Sequence, residues 1–231
     1  PRRRQGFPPD HGCKVEPPPE PRYAVANTEV KMTPEQIQPL FTRADGQYLF
    51  SRWGRAIVPV VFGLDDATLP VLKGALEAVV AIAGHEIAAA DVELGANLMV
   101  FFFRDWAELP DVPKLDQLIP DLGPLCARLT AVGANQYRAF RFDPAGAIKA
   151  AFVFVRMDAD LESVAVDVLA LSQAVRIILL WSDRAFADRS PLVDAGAGAQ
   201  VRPEIAALIR AAYAPPMPAV ARDAAHAYRL A

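Results

Sequence analysis

From about residue 46 onward, the chain alternates short β-rich runs with stripes of apolar residues at helical spacing. Tyr48-Leu49-Phe50 and Ile57-Val58-Pro59-Val60-Val61-Phe62 predict two strands separated by Trp53-Gly54-Arg55. Pro59 has no N–H to donate, which places the second run at a sheet edge or a bulge. Leu69, Leu72, Leu76, Val79, Val80 and Ala83 then recur every three or four positions. That spacing predicts a helix over about 66–83, capped by Asp65-Asp66 and stopped by Gly84. Leu98 to Phe103 is an unbroken apolar run, short enough for a strand buried on both faces. A helix-like stretch at about 115–131 is interrupted by Pro120 and Gly123.

The second half carries the sharpest local signal. Gln136–Phe142 and Ile148–Val155 are β-rich and flank Asp143-Pro144-Ala145-Gly146, which predicts a hairpin with Pro and Gly where a turn uses them. From Leu161 to Trp181 the chain is apolar nearly all round and of helical length, the pattern of a central buried helix. Pro203 to Tyr213 predicts a last helix, stopped by Pro215-Pro216.

The first 45 residues read differently. Seven of the 21 prolines fall within residues 1–21, including Pro17-Pro18-Pro19, so this stretch cannot form a helix or an interior strand. Residues 1–45 are expected to be a proline-rich extended tail, and residues 46–231 a single α+β domain. Within the tail, Thr33-Pro34-Glu35-Gln36 allows a helical turn, with Thr33 as cap and Pro34 in the first helical position. Tyr23, Val25, Val30 and Phe41 are apolar anchors that would let the arm lie on its own domain or on a partner.

Composition narrows the function classes. The 24 Lys and Arg against 27 Asp and Glu give a net charge of −3, which argues against a general nucleic-acid binder. No uninterrupted apolar run of about 18 residues occurs, so no membrane span is expected. Pro1-Arg2-Arg3-Arg4 is followed by polar and proline residues, not by the apolar stretch of a signal peptide. The two cysteines, Cys13 and Cys126, form no CxxC pair. Cys126 reads as a buried thiol, and a Cys13–Cys126 bridge is open only in an oxidising compartment.

Motifs for known chemistry are missing. None of His11, His85 and His226 has a second His or Cys three or four residues on, as a helical metal site needs. His85-Glu86 matches the first half of H-E-x-x-H, but Ala89 stands where the second His belongs, and Asp91 and Glu93 read as a solvated rim. No G-x-S-x-G occurs. Gly196-Ala197-Gly198 lacks the Lys-Ser/Thr of a phosphate cradle. Phe101-Phe102-Phe103 with Trp106 reads as apolar strand core. No catalytic, cofactor-binding or metal-binding residue is therefore assigned.

Strand, helix, strand, hairpin, central helix and terminal helix, in that order, resemble a minimal zincin-like core. The chain is similar in particular to bacterial domains of unknown function, usually exported, with a degenerate metallopeptidase-like fold. The resemblance spans residues 46–220. It rests on Phe50-Ser51-Arg52-Trp53-Gly54-Arg55 to Phe62, on Ala96-Asn97-Leu98-Met99-Val100-Phe101, on Leu169–Asp183, and on Ile205 to Tyr213-Ala214-Pro215-Pro216. It implies a small mixed sheet with a central buried helix, and an exported protein.

In a working zincin, two histidines one turn apart bind zinc, and the Glu after the first is the general base. The corresponding positions here read Ser172-Gln173-Ala174-Val175-Arg176. Ser does not replace imidazole at zinc, the Gln amide does not abstract a proton, and Arg176 would put a cation where a dication sits. The resemblance therefore implies a non-catalytic binding or interaction module, an accessory subunit of a larger assembly whose protein partner is engaged in part by the tail. A hydrolase with an unrecognised active site is the alternative. Ser172, Gln173 and Arg176 form the candidate remnant cleft. Arg176 should find either an internal acid, among Asp158, Asp160, Asp183 and Asp188, or an anionic ligand such as a peptide carboxylate.

Overall fold

The computed structural model describes residues 31–88, 95–194, 196 and 198–231. Expectations for Cys13, His11, Tyr23, Val25, Val30, Ala89, Asp91 and Glu93 fall outside these residues. In chain order the elements are α1 (Pro34–Phe41), β1 (Phe50–Ser51), β2 (Pro59–Phe62), α2 (Leu69–Ala83) and β3 (Leu98–Phe103). A 3₁₀ turn (Trp106–Asp111) leads to α3 (Leu115–Leu118), α4 (Leu122–Ala131), β4 (Gln136–Phe142) and β5 (Ile148–Arg156). The chain continues through α5 (Ala159–Glu162), α6 (Val166–Ile178), β6 (Leu192–Asp194) and β7 (Ala199–Val201). It finishes with α7 (Pro203–Tyr213), β8 (Val220–Ala221) and α8 (His226–Leu230).

The fold is α+β, built on a four-stranded mixed sheet in the order β2-β3-β5-β4. β2, β3 and β5 are parallel, and β4 closes the sheet antiparallel to β5. Pro59 is tolerated because β2 is an edge strand. Successive side chains of a strand point to opposite faces, so β3 splits between two cores. Leu98, Val100 and Phe102 join the larger core with α2, α6 and α7, while Phe101 and Phe103 pack with Trp106, Leu115, Leu125 and Cys126.

Local rules account for most boundaries. Gly84 ends α2 in the left-handed region (φ +59°), where its N–H reaches back to the Ala81 carbonyl. At the other end of α2 the cap is Thr68; Asp65 instead accepts from the Thr68 N–H at 2.7 Å, closing a turn ahead of the helix. Pro120 separates α3 from α4, whereas Gly123 is accommodated inside α4.

Two boundaries differ from the sequence reading. The packed region begins before Gly46, because Ile37 and Phe41 on α1 are fully buried. The Phe41 ring stacks on Trp181 with centroids 5.3 Å apart, and the Ser182 N–H donates to the Leu40 carbonyl at 2.8 Å. The part of the expected tail from Pro34 onward thus belongs to the domain. The expected helix 161–181 is broken into α5, α6 and an extended exit. Asp158 caps α5 by accepting from Leu161 N–H at 3.0 Å. After Ile178 the chain straightens, pairing Leu179 with Arg52 and donating from Leu180 N–H to the Ser51 carbonyl at 2.9 Å.

α6 is the central buried helix, and its C-terminus ends inside the core. The last four carbonyls of a helix have no partner within it, and burying one bare is costly. Aromatic side chains supply the donors here. Trp181 Nε1 donates to Val175 O at 2.7 Å, Trp53 Nε1 to Ile177 O at 3.0 Å, and Tyr213 Oη to Ile178 O at 2.8 Å. The Tyr213 oxygen also accepts from the Trp53 backbone N–H at 3.3 Å.

His226, whose ring lies 4.4 Å from that of Phe50, is buried with Nδ1 hydrogen-bonded to Tyr48 Oη at 3.0 Å and Nε2 without a partner among the described residues. Burial, with Arg229 nearby, pushes its pKa down from 6.5 to about 4. No helix among the described residues is long and apolar enough to cross a membrane.

Trp53→Phe and Tyr213→Phe each leave buried carbonyls without a donor. Each should lower stability by about 1–3 kcal/mol in urea unfolding with an unchanged m-value. Neutral His226 contributes stability above pH 6.5, and the unfolded chain binds the extra proton first as pH falls. The melting temperature should therefore fall from pH 6.5 towards about 4, and His226→Gln should flatten that fall.

Candidate functional site

Between α6 and the edge strand β4 lie two amides, Gln173 and Gln136, and two guanidinium groups, Arg176 and Arg138. On β4, the period-two alternation sends Gln136, Arg138 and Phe140 to one face. Phe140 packs into the α6 side of the core, whereas Tyr137 and Ala139 join the opposite cluster. Gln136 and Arg138 therefore look at α6, from which Gln173 meets them.

Gln173 is fully buried. Its Oε1 accepts from Arg138 Nη2 at 2.6 Å, and its Nε2 donates to Gln136 Oε1 at 3.0 Å. Arg138 Nη2 also donates to Gln136 Oε1 at 2.8 Å, closing a three-residue network. Both amide oxygens are spent on one guanidinium nitrogen. Arg138 Nε is buried with no partner.

Arg176 lies one turn beyond Ser172, and both are half-buried. Its guanidinium carbon is 5.3 Å from the centroid of the Phe186 ring, a cation–π contact. The expected internal ion pair is absent. Asp158 pairs with Arg156 at 3.1 Å and caps α5. Asp183 accepts from the Ala44 N–H at 3.1 Å. Asp160 and Asp188 are exposed, and neither forms an ion pair with Arg176. Of the four aspartates, Asp158 and Asp183 are thus engaged elsewhere, and Asp160 and Asp188 are turned to solvent.

The charged group that shares this face with Arg176 is instead a second cation, Arg138, held by Gln173 three residues earlier on α6. Burial, and then the charge of Arg176, push Arg138 down from its ordinary value to about 9, which leaves it protonated at neutral pH. Burial also lowers Arg176. Neither arginine has a carboxylate partner among the described residues. Position at the last turn of α6 offers Arg176 the partial negative charge of the helix end. That eases the charge without neutralising it.

The structure thus divides the three sequence-assigned residues. Gln173 is locked to β4, while Ser172 and Arg176 form a half-buried stripe beside it. Sequence reasoning missed Gln136 and Arg138. A usable signal existed, since an arginine two residues before Phe140 on a predicted strand stands on what should be an apolar face.

Elsewhere the groups are structurally committed. His85 Nε2 donates to the Arg55 carbonyl at 2.9 Å, and burial lowers its pKa. Burial raises the Cys126 thiol, which removes nucleophilic character. No cluster of His, Cys, Asp and Glu among the described residues is disposed to hold a metal ion. A cavity of about 500 Å³ opens at the carboxyl ends of β2 and β3, lined by Leu64, Leu72, Phe102, Met157 and Leu169. Glu108 at its rim is occupied in accepting from the Arg104 and Asp105 N–H groups at 3.0 and 2.7 Å.

Comparison with protein-family models, with curated proteins and with solved structures finds no match to this chain.

Arg176→Met keeps the aliphatic stem over Phe186 and removes the charge facing Arg138. It should be neutral or stabilising by up to about 1 kcal/mol, the more so at low salt. Arg138→Met removes the donor to Gln173 Oε1 and should cost about 1–3 kcal/mol. Paired denaturation curves at low and high ionic strength distinguish the two.

Proposed function

We propose that the domain is a non-catalytic binding module, an accessory subunit that holds a protein partner, in line with its resemblance to degenerate zincin-like domains. The observation that carries this reading is the state of Gln173. It occupies the position where the resemblance would have a general base, and both ends of its amide are tied, to Arg138 at 2.6 Å and to Gln136 at 3.0 Å. An amide has no proton affinity to offer a water, and two neighbouring guanidinium cations oppose a bound metal dication. The same set is well made for holding an anionic group still.

The order of elements supports the resemblance as well, since β2, α2, β3, the β4–β5 hairpin, α6 and α7 follow one another as it requires. The partner would engage this face together with the proline-rich segment that precedes residue 31.

Purified full-length protein should carry well under one equivalent of zinc or iron by elemental analysis. It should keep its melting temperature in the presence of a chelator and leave a mixed peptide library uncut. One bound metal per chain, or metal-dependent cleavage of the library, would sink the reading in favour of a hydrolase.

A further inference from the structure

We infer that Arg138 and Arg176 together form a receptor for a carboxylate group. The inference rests on the reading of the domain as a binding module and names the ligand chemistry of its β4–α6 face.

Charge balance is the first argument. Arg138 is tied to Gln173, and Arg176 follows Gln173 by three residues on the same face of α6, so two guanidinium groups partly withdrawn from water share one face with no acid among the described residues to offset them. A cation taken from water without a counter-charge is costly, and a buried arginine ordinarily meets a carboxylate. No acid among the described residues supplies the offsetting charge, which leaves that role to a bound anion.

Donor inventory is the second. Gln136 Oε1 and Gln173 Oε1 both accept from Arg138 Nη2, so the network spends its acceptors internally. What remains is Arg138 Nε, buried without an acceptor, Arg138 Nη1, and the Arg176 guanidinium, none of which hydrogen-bonds to a described residue. A site offering only N–H donors with two positive charges selects an anion over a cation or a neutral amide. The planar guanidinium fork matches the two oxygens of a carboxylate.

Preorganisation is the third. The two glutamines fix Arg138 through its Nη2, and Phe186 supports the Arg176 guanidinium at 5.3 Å. Little side-chain entropy is then left to lose on binding. The position of Arg176 also separates a carboxylate from a phosphate. It stands in the last turn of α6, whose helix end carries partial negative charge and so disfavours a dianion. One carboxylate oxygen accepts from Arg176 while the group as a whole neutralises Arg138.

The test titrates ¹⁵N-labelled full-length protein with N-acetyl-alanyl-alanine, its C-terminal amide, and inorganic phosphate, at matched ionic strength, while following the arginine Nε–H resonances. The free acid should shift the Arg138 and Arg176 signals saturably, and the amide should not. Arg176→Gln should weaken the acid by about ten- to a hundredfold. Gln173→Glu places a carboxylate beside Arg138 from within, so it should abolish acid binding while circular dichroism and the melting transition show a folded protein.

Equal binding of acid and amide overturns the inference, and so does unchanged affinity in folded Gln173→Glu. Phosphate binding tighter than the acid overturns the choice of carboxylate. A protein that is metal-free and leaves peptides uncut, yet shows no saturable acid binding, refutes this inference and leaves the reading as a binding module standing.

Discussion

A helix that ends inside a protein must find donors for carbonyls that it cannot satisfy itself, and the rest of this fold is arranged around that requirement. α6 stops in the core, and three aromatic side chains from three parts of the chain converge on Val175, Ile177 and Ile178. Each of these residues has an apolar body that packs and one polar atom that donates, a combination aliphatic residues lack. Trp53 ties in the segment between β1 and β2, Tyr213 ties in α7, and Trp181 folds back from the exit of α6 itself. Phe41 on Trp181 then extends the same support to α1.

This explains why the stretches around Trp53 and at Tyr213-Ala214-Pro215 stand out in the sequence without any catalytic motif. Their side chains hold the end of α6, and through it the placement of Arg176 two residues before the helix stops. Gln173 is fixed from the other side by β4. The face proposed to take a ligand is consequently set mainly by α6 and β4, with Phe186 from the following loop against Arg176, which suits holding a group in place more than reshaping around it.

Elements with a strong period were legible in the sequence. The α2 stripe from Leu69 to Ala83 and the alternation of β4 into β5 each fixed one arrangement, and Gly84 and Pro120 act where backbone geometry says they must. The length of α6 was not legible, because Leu161 to Trp181 is apolar throughout and apolar character does not distinguish a helix from an extended exit. What ends α6 is pairing of Leu179 and Leu180 with Arg52 and Ser51, contacts between residues far apart in the chain. The candidate site was half legible for the same reason. Gln173 and Arg176 could be picked out on their helix, but Arg138 comes from 35 residues earlier in sequence than Gln173. The nearby aspartates misled because proximity along the chain does not show that Asp158 caps α5, that Asp183 holds the Ala44 N–H, or that Asp160 and Asp188 point to solvent.

The aromatic cap also has a consequence for the order in which the protein is made. Trp53 leaves the ribosome long before α6 and Trp181 follows just after it, but Tyr213 comes 35 residues behind the Ile178 carbonyl that it satisfies. A nascent chain can collapse around the sheet with α6 in place and still carry one bare carbonyl, and an idle Trp53 N–H, in its centre. Such an intermediate is compact but unfinished, and its completion waits for α7 to emerge and dock. Quality-control proteases that act on incompletely synthesised chains would thus meet a defect at the middle of the molecule and not merely a missing end.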